Sequence, residues 1–120
     1  MREETDEPRT AIFGDVAVVA VSGELDLTLC VKLAPELNAA MRSPVRAVVI
    51  DLEAVSLVDS SGIALLLDAF FRLDQSGRQL AIACPMGSQR RAFEVTALDR
   101  QLPMHETRRA ALAAVGAADR

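Results

Sequence analysis

The sequence has few of the side chains on which enzymes depend. Its 120 residues include one histidine (His105), one lysine (Lys32), two cysteines, and neither tyrosine nor tryptophan. One histidine and two cysteines cannot supply a zinc site of the common Cys/His kind, and one lysine without tyrosine leaves few bases for catalysis near neutral pH. The six glycines are scattered and form no phosphate-binding loop. We therefore expect a protein that is not an enzyme and that holds no metal or cofactor.

Long apolar runs and clusters of basic residues are missing as well. The longest uncharged run, residues 79–89, has 11 residues, which is too short to cross a bilayer. The N-terminus is acidic, whereas a signal peptide begins with basic and then apolar residues. Residues 1–8 carry four acidic side chains against Arg2, or −3 of the net charge of −4, so the remainder is nearly neutral. We expect a cytoplasmic protein that neither inserts into membranes nor binds nucleic acid.

Core-forming residues, by contrast, are plentiful. Hydrophobic residues make up 51% of the chain and charged residues 25%, which at this length is typical of one globular domain. We expect that domain to span residues 10–115. Residues 1–9 and residues 116–120 are then expected to be flexible tails.

Short segments rich in valine and isoleucine predict the strands. Residues 10–13 and 16–21 flank Gly14-Asp15 and predict a β-hairpin whose second strand ends at Ser22-Gly23. Near-continuous apolar runs predict strands that are covered on both faces, and Pro103 is typical of an edge strand. The further predicted strands are residues 46–52, a brief 56–58, 80–84 and 102–104.

Helical spacing of apolar residues predicts four helices between and after these strands. The first has Thr28 as its N-cap, Pro35 in its first turn or at a kink, and Ser43-Pro44 at its end. The others are expected after Asp59-Ser60-Ser61-Gly62 as far as Gly77, at residues 88–98 and at residues 106–115. The alternation predicts an α/β domain, with a mixed sheet of about five strands (the hairpin plus parallel strands) packed with about four helices.

The polar segment Asp59-Ser60-Ser61-Gly62 lies between a buried strand and an apolar helix. At such a corner either Asp59 or Ser60 is expected to cap the helix N-terminus. A serine there is also a candidate phosphorylation site, because the helix dipole and the free N–H groups favour a phosphate. A nucleophilic serine is disfavoured, since the first glycine of Gly-x-Ser-x-Gly is missing and His105 is the only histidine.

Other interpretations of the acidic and thiol groups stay open at this point. Glu24, Asp26 and Asp59 follow strand ends and could together hold magnesium, although capping of turns and helices by the two aspartates is favoured. Cys30 and Cys84 sit beside apolar residues, which favours buried, reduced thiols over a redox-sensing pair.

Several segments resemble the STAS domain and, more narrowly, the bacterial anti-sigma factor antagonists, also called anti-anti-sigma factors. They are Gly23-Glu24-Leu25-Asp26 after the hairpin and residues 49–52 through Val58-Asp59-Ser60-Ser61-Gly62-Ile63. The resemblance spans roughly residues 10–115 and includes Arg91-Ala92-Phe93-Glu94-Val95 and Leu98. It departs from the family at Thr96-Ala97, where relatives often have Ser-Gly.

The resemblance implies partner switching. The unphosphorylated protein binds an anti-sigma factor that is also a serine kinase and thereby frees a sigma factor. The kinase phosphorylates the first serine of Asp-Ser-Ser-Gly, here Ser60, with Ser61 as a minor alternative, and a phosphatase acts on phospho-Ser60. The expected partner-binding residues are Glu24, Asp26, Asp59, Ser61 and Gly62, together with Leu65, Asp68, Ala69 and Arg72 on the exposed side of the following helix.

Two other functions are compatible with the same fold. One is a STAS adapter subunit of a membrane transporter complex that is not phosphorylated, since a fold does not determine a function. The other is a small regulator that binds nucleotide weakly at the helix end near Ser60. The domain is expected to be a monomer or a weak dimer.

Overall fold

The computed structural model describes residues 7–117, which form a five-stranded sheet, four α-helices and a short 3-10 helix. Residues 1–6 and 118–120, most of the two predicted tails, lie outside the described residues. The strands are β1 (Arg9–Phe13), β2 (Val16–Leu25), β3 (Ala47–Val58), β4 (Gln79–Ala83) and β5 (Met104–His105). The helices are α1 (Leu27–Arg42), α2 (Ser60–Gln75), α3 (Ser88–Val95) and α4 (Arg108–Ala114), with the 3-10 helix at Leu98–Arg100.

The sheet is mixed and its strands lie in chain order, β1-β2-β3-β4-β5. β1 and β2 form the predicted antiparallel hairpin around Gly14-Asp15, and every later pair is parallel. β5 is an edge strand, as Pro103 indicated. The predicted α/β architecture is therefore confirmed.

Both faces of the sheet are covered, which accounts for the near-continuous apolar runs. On one face, β3 residues such as Val48 and Ile50 belong to a core that also includes side chains of α1, α2 and α3. On the other face, the alternating residues Ala47 and Val49 pack with Ala111 of α4. The period of two along each strand thus supplies two separate cores.

A buried carboxylate holds α4 on its face of the sheet. Asp51 lies on β3, and its side chain is 7% exposed. The Nε of Arg108 donates to Asp51 Oδ2 at 2.8 Å, and the backbone N–H of Arg108 donates to Glu53 Oε2 at 2.6 Å. Thr107 caps the helix by accepting from the N–H of Ala110 at 3.0 Å. The first turn of α4 is therefore fixed to β3 by side chains far away in sequence.

Two predicted strand ends were wrong because pairing continues further. β2 does not end at Ser22-Gly23 but runs to Leu25 with two register irregularities, and β3 is one strand from Ala47 to Val58. The two strand ends lie beside each other and hydrogen-bond as a parallel pair. Such pairing satisfies backbone groups that turn residues alone would leave open.

The start of α1 also differs from the prediction. The N-cap is Asp26 rather than Thr28, and its Oδ1 accepts from the N–H of Leu29 at 3.0 Å. Pro35 is not in the first turn; it is the ninth residue of a 16-residue helix that continues past it to Arg42. Pro35 is exposed, so its ring faces solvent, while the buried leucines hold the helix on the sheet.

The C-terminal boundaries shift by a few residues. α3 ends at Val95 instead of residue 98, because Ala97 adopts a left-handed conformation with φ of 61° and a 3-10 helix follows. β5 is Met104–His105 rather than residues 102–104, and α4 begins at Arg108 after its Thr107 cap. Between residues 7 and 117, no helix has both the length and the apolar character needed to span a bilayer.

Candidate functional site

The site is a corner at which β2 and β3 end side by side. Leu25 pairs with Val58, and the N–H of Asp59 donates to the carbonyl of Leu25 at 3.2 Å. Each strand is followed at once by an aspartate and then by a helix, Asp26 before α1 and Asp59 before α2. The structure thus places the two predicted acidic residues at one edge of the sheet. We call this region, residues 24–26 and 59–62, the Ser60 corner.

Asp59, not Ser60, caps α2. Its Oδ1 accepts from the N–H groups of Ser61 at 2.9 Å and Gly62 at 3.2 Å. Asp26 does the same for α1, so the favoured interpretation of the two aspartates as caps is confirmed. A carboxylate is well suited to this position, because it accepts two bonds and carries charge that the helix dipole favours.

Ser60 is the first residue of α2 and is exposed. Because Asp59 supplies the capping oxygen, the hydroxyl of Ser60 forms no hydrogen bond within residues 7–117. Ser61 is half-buried and is the less accessible of the two. Of the two serines, Ser60 is therefore the one that another protein reaches more readily.

Gly62 allows α2 to pack closely against the end of β2. Gly62 is buried, and a Cβ built on it would lie 2.8 Å from Cγ and 3.0 Å from the carbonyl oxygen of Leu25. Real Cβ atoms do not approach that closely, so only glycine allows α2 to start this near to the end of β2. Gly62 was predicted to bind a partner, but its burial leaves little surface for direct contact.

The residues predicted on the exposed side of α2 divide into two groups. Asp68 and Arg72 are exposed and Leu65 is half-buried. Nη1 of Arg72 donates to Asp68 Oδ2 at 3.2 Å and to Asn38 Oδ1 of α1 at 2.9 Å. Ala69 was predicted to be exposed, and this is wrong: it is 0% exposed because it faces the sheet with Leu66 and Leu73.

Acidic groups dominate the electrostatics of the corner. Burial raises the pKa of the Cys30 thiol, and the carboxylates of Asp59 and Asp26 raise it further. Cys84 is also buried, and burial raises its pKa to about 11 even though Arg90 acts in the opposite direction. Both cysteines are free and buried, as predicted. Raised pKa values keep these thiols protonated and hence unreactive near neutral pH.

Glu24 is exposed and borders an open depression of about 450 Å³ beside the corner. Lys32 lines the same depression and forms an ion pair with Glu7 at 3.4 Å. In the part of the chain that the structure describes, no three side chains of the metal-binding types are grouped as a metal site would require. Glu24, Asp26 and Asp59 therefore do not form the magnesium site considered from the sequence.

The serine-nucleophile interpretation finds no support in the arrangement. His105 lies on β5, whereas Ser60 follows β3, and β4 separates the two strands. Within the described residues no hydrogen bond connects the imidazole to the corner. His105 is therefore not placed to act as a base for Ser60.

Leu27 and Val31 are two residues near the corner that the sequence analysis did not single out. Both are on α1, and they are 65% and 66% exposed. A signal was present, since they are large apolar residues that fall outside the stripe of Leu29, Leu33 and Leu37. Periodicity assigns the stripe to the core but says nothing about apolar residues beside it.

The comparison with known proteins agrees with this geometry. The family model of the STAS domain matches residues 7–111. The chain belongs to the STAS domain family. An anti-sigma-B factor antagonist of Staphylococcus aureus is 31% identical to this STAS domain over 88 residues, which are 73% of this chain and 82% of that protein.

Two solved structures place this STAS domain among similar folds. An anti-sigma factor antagonist from Mycobacterium paratuberculosis superposes with a TM-score of 0.83 at 30% identity, covering 90% of this chain and 92% of that one. An anti-sigma-factor antagonist (STAS) domain protein from Planctomyces limnophilus gives a TM-score of 0.81 at 26% identity, covering 91% and 97%. These relatives match the STAS domain over nearly its whole length.

Proposed function

We propose that this STAS domain is a cytoplasmic, non-catalytic anti-sigma factor antagonist that Ser60 phosphorylation switches off. The unmodified chain binds an anti-sigma factor that is also a serine kinase, and the sigma factor is released. The kinase phosphorylates Ser60, and a phosphatase restores the binding form. The observation that carries this proposal is the exposed Ser60 hydroxyl, which is left free because Asp59 caps α2. The names of the relatives support the antagonist role.

Phosphate on Ser60 acts on binding without unfolding the domain. It adds a charge of about −1.5 to −2 at a helix N-terminus, where the dipole favours negative charge. The ionisable groups of the corner are Asp59, Asp26 and Glu24, all acidic, and the nearby Lys32 is paired with Glu7. A partner that had covered an uncharged hydroxyl would have to bury an unpaired dianion, which costs about 3–5 kcal/mol when no opposite charge is present. Affinity would fall a hundredfold or more.

The remaining corner residues take supporting roles in this proposal. Asp26, Asp59 and Glu24 provide the acidic margin that a kinase recognises, and Ser61 is a minor acceptor. Leu65, Asp68 and Arg72 extend the contact along α2, whereas Gly62 acts through packing. The relatives described above are antagonists, which disfavours the transporter-adapter alternative.

The test uses the serine-kinase anti-sigma factors encoded in the source genome, each purified and mixed with the full chain. One of them should bind the wild-type chain in calorimetry and, with Mg-ATP, add one phosphate that mass spectrometry maps to Ser60. Ser60→Ala should keep binding and lose phosphorylation, and Ser60→Glu should weaken binding about a hundredfold. Ser88→Ala, at the exposed first residue of α3, is the matched control and should behave as wild type.

Two results would contradict the proposal. One is that no kinase of this set binds the wild-type chain. The other is that a kinase binds, but Ser60→Glu retains wild-type affinity. Purification of the chain with a membrane transporter, whatever residue stands at position 60, would point to the adapter function instead.

A further inference from the structure

Leu27 and Val31 lie on the side of α1 that borders α2. Asn38 follows Val31 by about two helical turns and Leu27 by about three, so all three residues share one side of the helix. Asn38 accepts the hydrogen bond from Arg72 of α2 at 2.9 Å. The two exposed apolar side chains therefore stand on the α2 side of α1, whereas Lys32, about 100° or more further round the helix, pairs with Glu7.

The Asn38–Arg72 bond also shows which residues of the two helices lie opposite each other. Its partners are 34 residues apart, and the same offset matches Leu27 with Ser61 and Val31 with Leu65. The helices begin level with each other, because Leu25 and Val58 pair at the ends of the preceding strands. Leu27, Val31, Ser61 and Leu65 thus line one surface, which we call the α1–α2 groove.

The groove begins beside Ser60, and side chains bridge the two helices further along. Ser60, the exposed first residue of α2, precedes Ser61 at the N-terminal end of the groove, which we call its entrance. Further along, Arg72 bridges Asn38 and Asp68. An apolar surface of this kind, next to an accessible acceptor hydroxyl, is suited to a protein that must come close to Ser60.

We infer that the α1–α2 groove is the docking site for an apolar side chain of the kinase, with Leu27 and Val31 as its main contacts. This inference rests on the proposed function and names the partner surface that it requires. A kinase that transfers phosphate to Ser60 must cover the neighbouring surface, and Val31 and Leu65 lie only about one turn, roughly 5.4 Å, beyond Leu27 and Ser61. Exposed apolar residues at such a position supply the central, water-excluding contacts of an interface.

Charge favours a kinase over a second copy of this chain as the occupant. Glu24, Asp26 and Asp59 stand around the entrance, and none of the ion pairs formed within residues 7–117 includes them. A complementary surface is therefore apolar at its centre and basic at the edge that meets Asp26. A second copy would bring an equally acidic corner into the contact, which like-charge repulsion opposes.

The switch follows from the same geometry. In the unmodified chain the entrance of the groove holds a small neutral hydroxyl. Phosphate on Ser60 would place a hydrated dianion at the margin of an apolar contact, where it loses water without gaining a partner. The groove then cannot hold the apolar side chain of the kinase favourably while Ser60 carries a phosphate.

The experiment shortens the apolar side chains of the groove and measures the affinity for the kinase. An equally exposed valine elsewhere on the domain is shortened as the control. Val31→Ala and the double variant Leu27→Ala/Val31→Ala are titrated with the kinase that binds the wild-type chain. We expect the affinity to fall about tenfold for the single variant and about a hundredfold for the double variant. Val95→Ala removes the same two methyl groups from a valine that is 72% exposed on α3, and its affinity should stay within about twofold of wild type.

A structural readout separates docking from loss of folding. Alanine has the highest helix propensity, so the variants should keep the far-UV circular dichroism and the Tm of the wild type. In the wild-type complex, backbone hydrogen exchange should slow in residues 27–34 and 60–68, but not in residues 9–13 or 88–95.

The outcomes distinguish failure of the groove inference from failure of the proposed function. If the kinase binds and phosphorylates Ser60, but the groove variants bind with wild-type affinity, the groove inference is wrong and the proposed function stands. If no kinase binds the wild-type chain, the groove inference and the proposed function are both contradicted. If Val31→Ala abolishes self-association in sedimentation while leaving kinase affinity unchanged, the occupant is a second copy, and the inference is overturned.

Discussion

Asp59 leaves Ser60 free because it supplies the capping oxygen itself. Serine is a good N-cap, and a serine that capped α2 would have its hydroxyl engaged by backbone N–H groups. In this chain the aspartate stands one position earlier, at the cap, and the serine becomes the first residue of the helix. Whether the serine stands at the cap or one residue after it thus decides whether its hydroxyl stabilises the helix or is free to meet a partner.

This division of roles predicts the effect of replacing Asp59. Asp59→Ala should lower the free energy of unfolding by about 1 kcal/mol, because the N–H groups of Ser61 and Gly62 lose their acceptor. Urea denaturation measures the loss. Asp68→Ala, which removes an exposed i,i+4 pair with Arg72, is the control and should change stability by no more than about 0.5 kcal/mol. Equal effects of the two variants would contradict the capping role.

Ala97 is in a backbone conformation that favours glycine. Its φ is 61°, and the left-handed region costs an alanine about 1–2 kcal/mol. It is also the position at which the sequence departs from the Ser-Gly pair of the family, so the departure has a structural cost at the end of α3. The strained residue lies at the turn between α3 and the 3-10 helix that begins at Leu98.

We therefore predict that Ala97→Gly stabilises the domain. The gain should be about 0.5–1 kcal/mol, since relief of backbone strain is partly offset by the greater freedom of glycine in the unfolded chain. Thermal and urea unfolding measure it. Ala39→Gly, at an exposed position inside α1, should have the opposite sign, with a loss of about 1 kcal/mol. A loss of stability in Ala97→Gly would contradict the strain argument.

The contact of α2 with the end of β2 depends on the absence of one side chain. Gly62 lies in the first turn of α2 against Leu25, which is fully buried. The close approach brings the start of α2, and with it Ser60, next to the start of α1. Both sides of the α1–α2 groove are set by this contact and by the pairing of Leu25 with Val58.

Gly62→Ala should therefore destabilise the domain, although alanine is the better helix former. We expect a loss of about 1–2 kcal/mol, because the added methyl group overlaps Leu25 and displaces α2. Urea denaturation gives the value, and weaker kinase binding should accompany it. Ser61→Ala, one residue earlier, adds no atoms and should stay within about 0.5 kcal/mol of wild type. Wild-type stability in Gly62→Ala would show that α2 can move away from the end of β2 without loss of stability.

Across the whole domain, the two faces of the sheet have different roles. The face covered by α1, α2 and α3 leads to the Ser60 corner, while the opposite face is closed by α4 alone. α4 has only seven residues, so its packing is reinforced by the Arg108–Asp51 pair. Without α4, apolar residues such as Val16 and Val49 would be exposed to water.

Arg108→Ala should consequently lower the free energy of unfolding by about 2 kcal/mol. The buried carboxylate of Asp51 loses its opposite charge; the loss is smaller than for a fully buried pair because the Arg108 side chain is 40% exposed. Chemical denaturation of the full chain checks the value. Arg109→Ala, the neighbouring exposed arginine, should change stability by less than about 0.5 kcal/mol. Similar results for both arginines would show that α4 is held by apolar packing alone.

Much of this architecture was predictable because it depends on local pattern. The hairpin follows from valine-rich segments around Gly14-Asp15, and the buried strands follow from runs such as residues 47–50. The exposed serine corner follows from a polar tetrapeptide between a buried strand and an apolar helix. Each of these inferences uses residues that are neighbours in sequence.

The sequence by itself thus determined the class of the fold, the order of its elements and the position of the Ser60 corner. Only the tertiary structure decided that Asp59 is the cap, that Ala69 is buried and that β2 extends to Leu25. It also decided that Leu27 and Val31 border α2. The cap is local, but Asp59 and Ser60 are both suitable caps, so the sequence left the choice between them open. The other features depend on strand pairing, the facing sides of helices and the burial of single residues, and these involve contacts between segments about 30 or more residues apart. Periodicity within one segment carries no information about which neighbour it will meet.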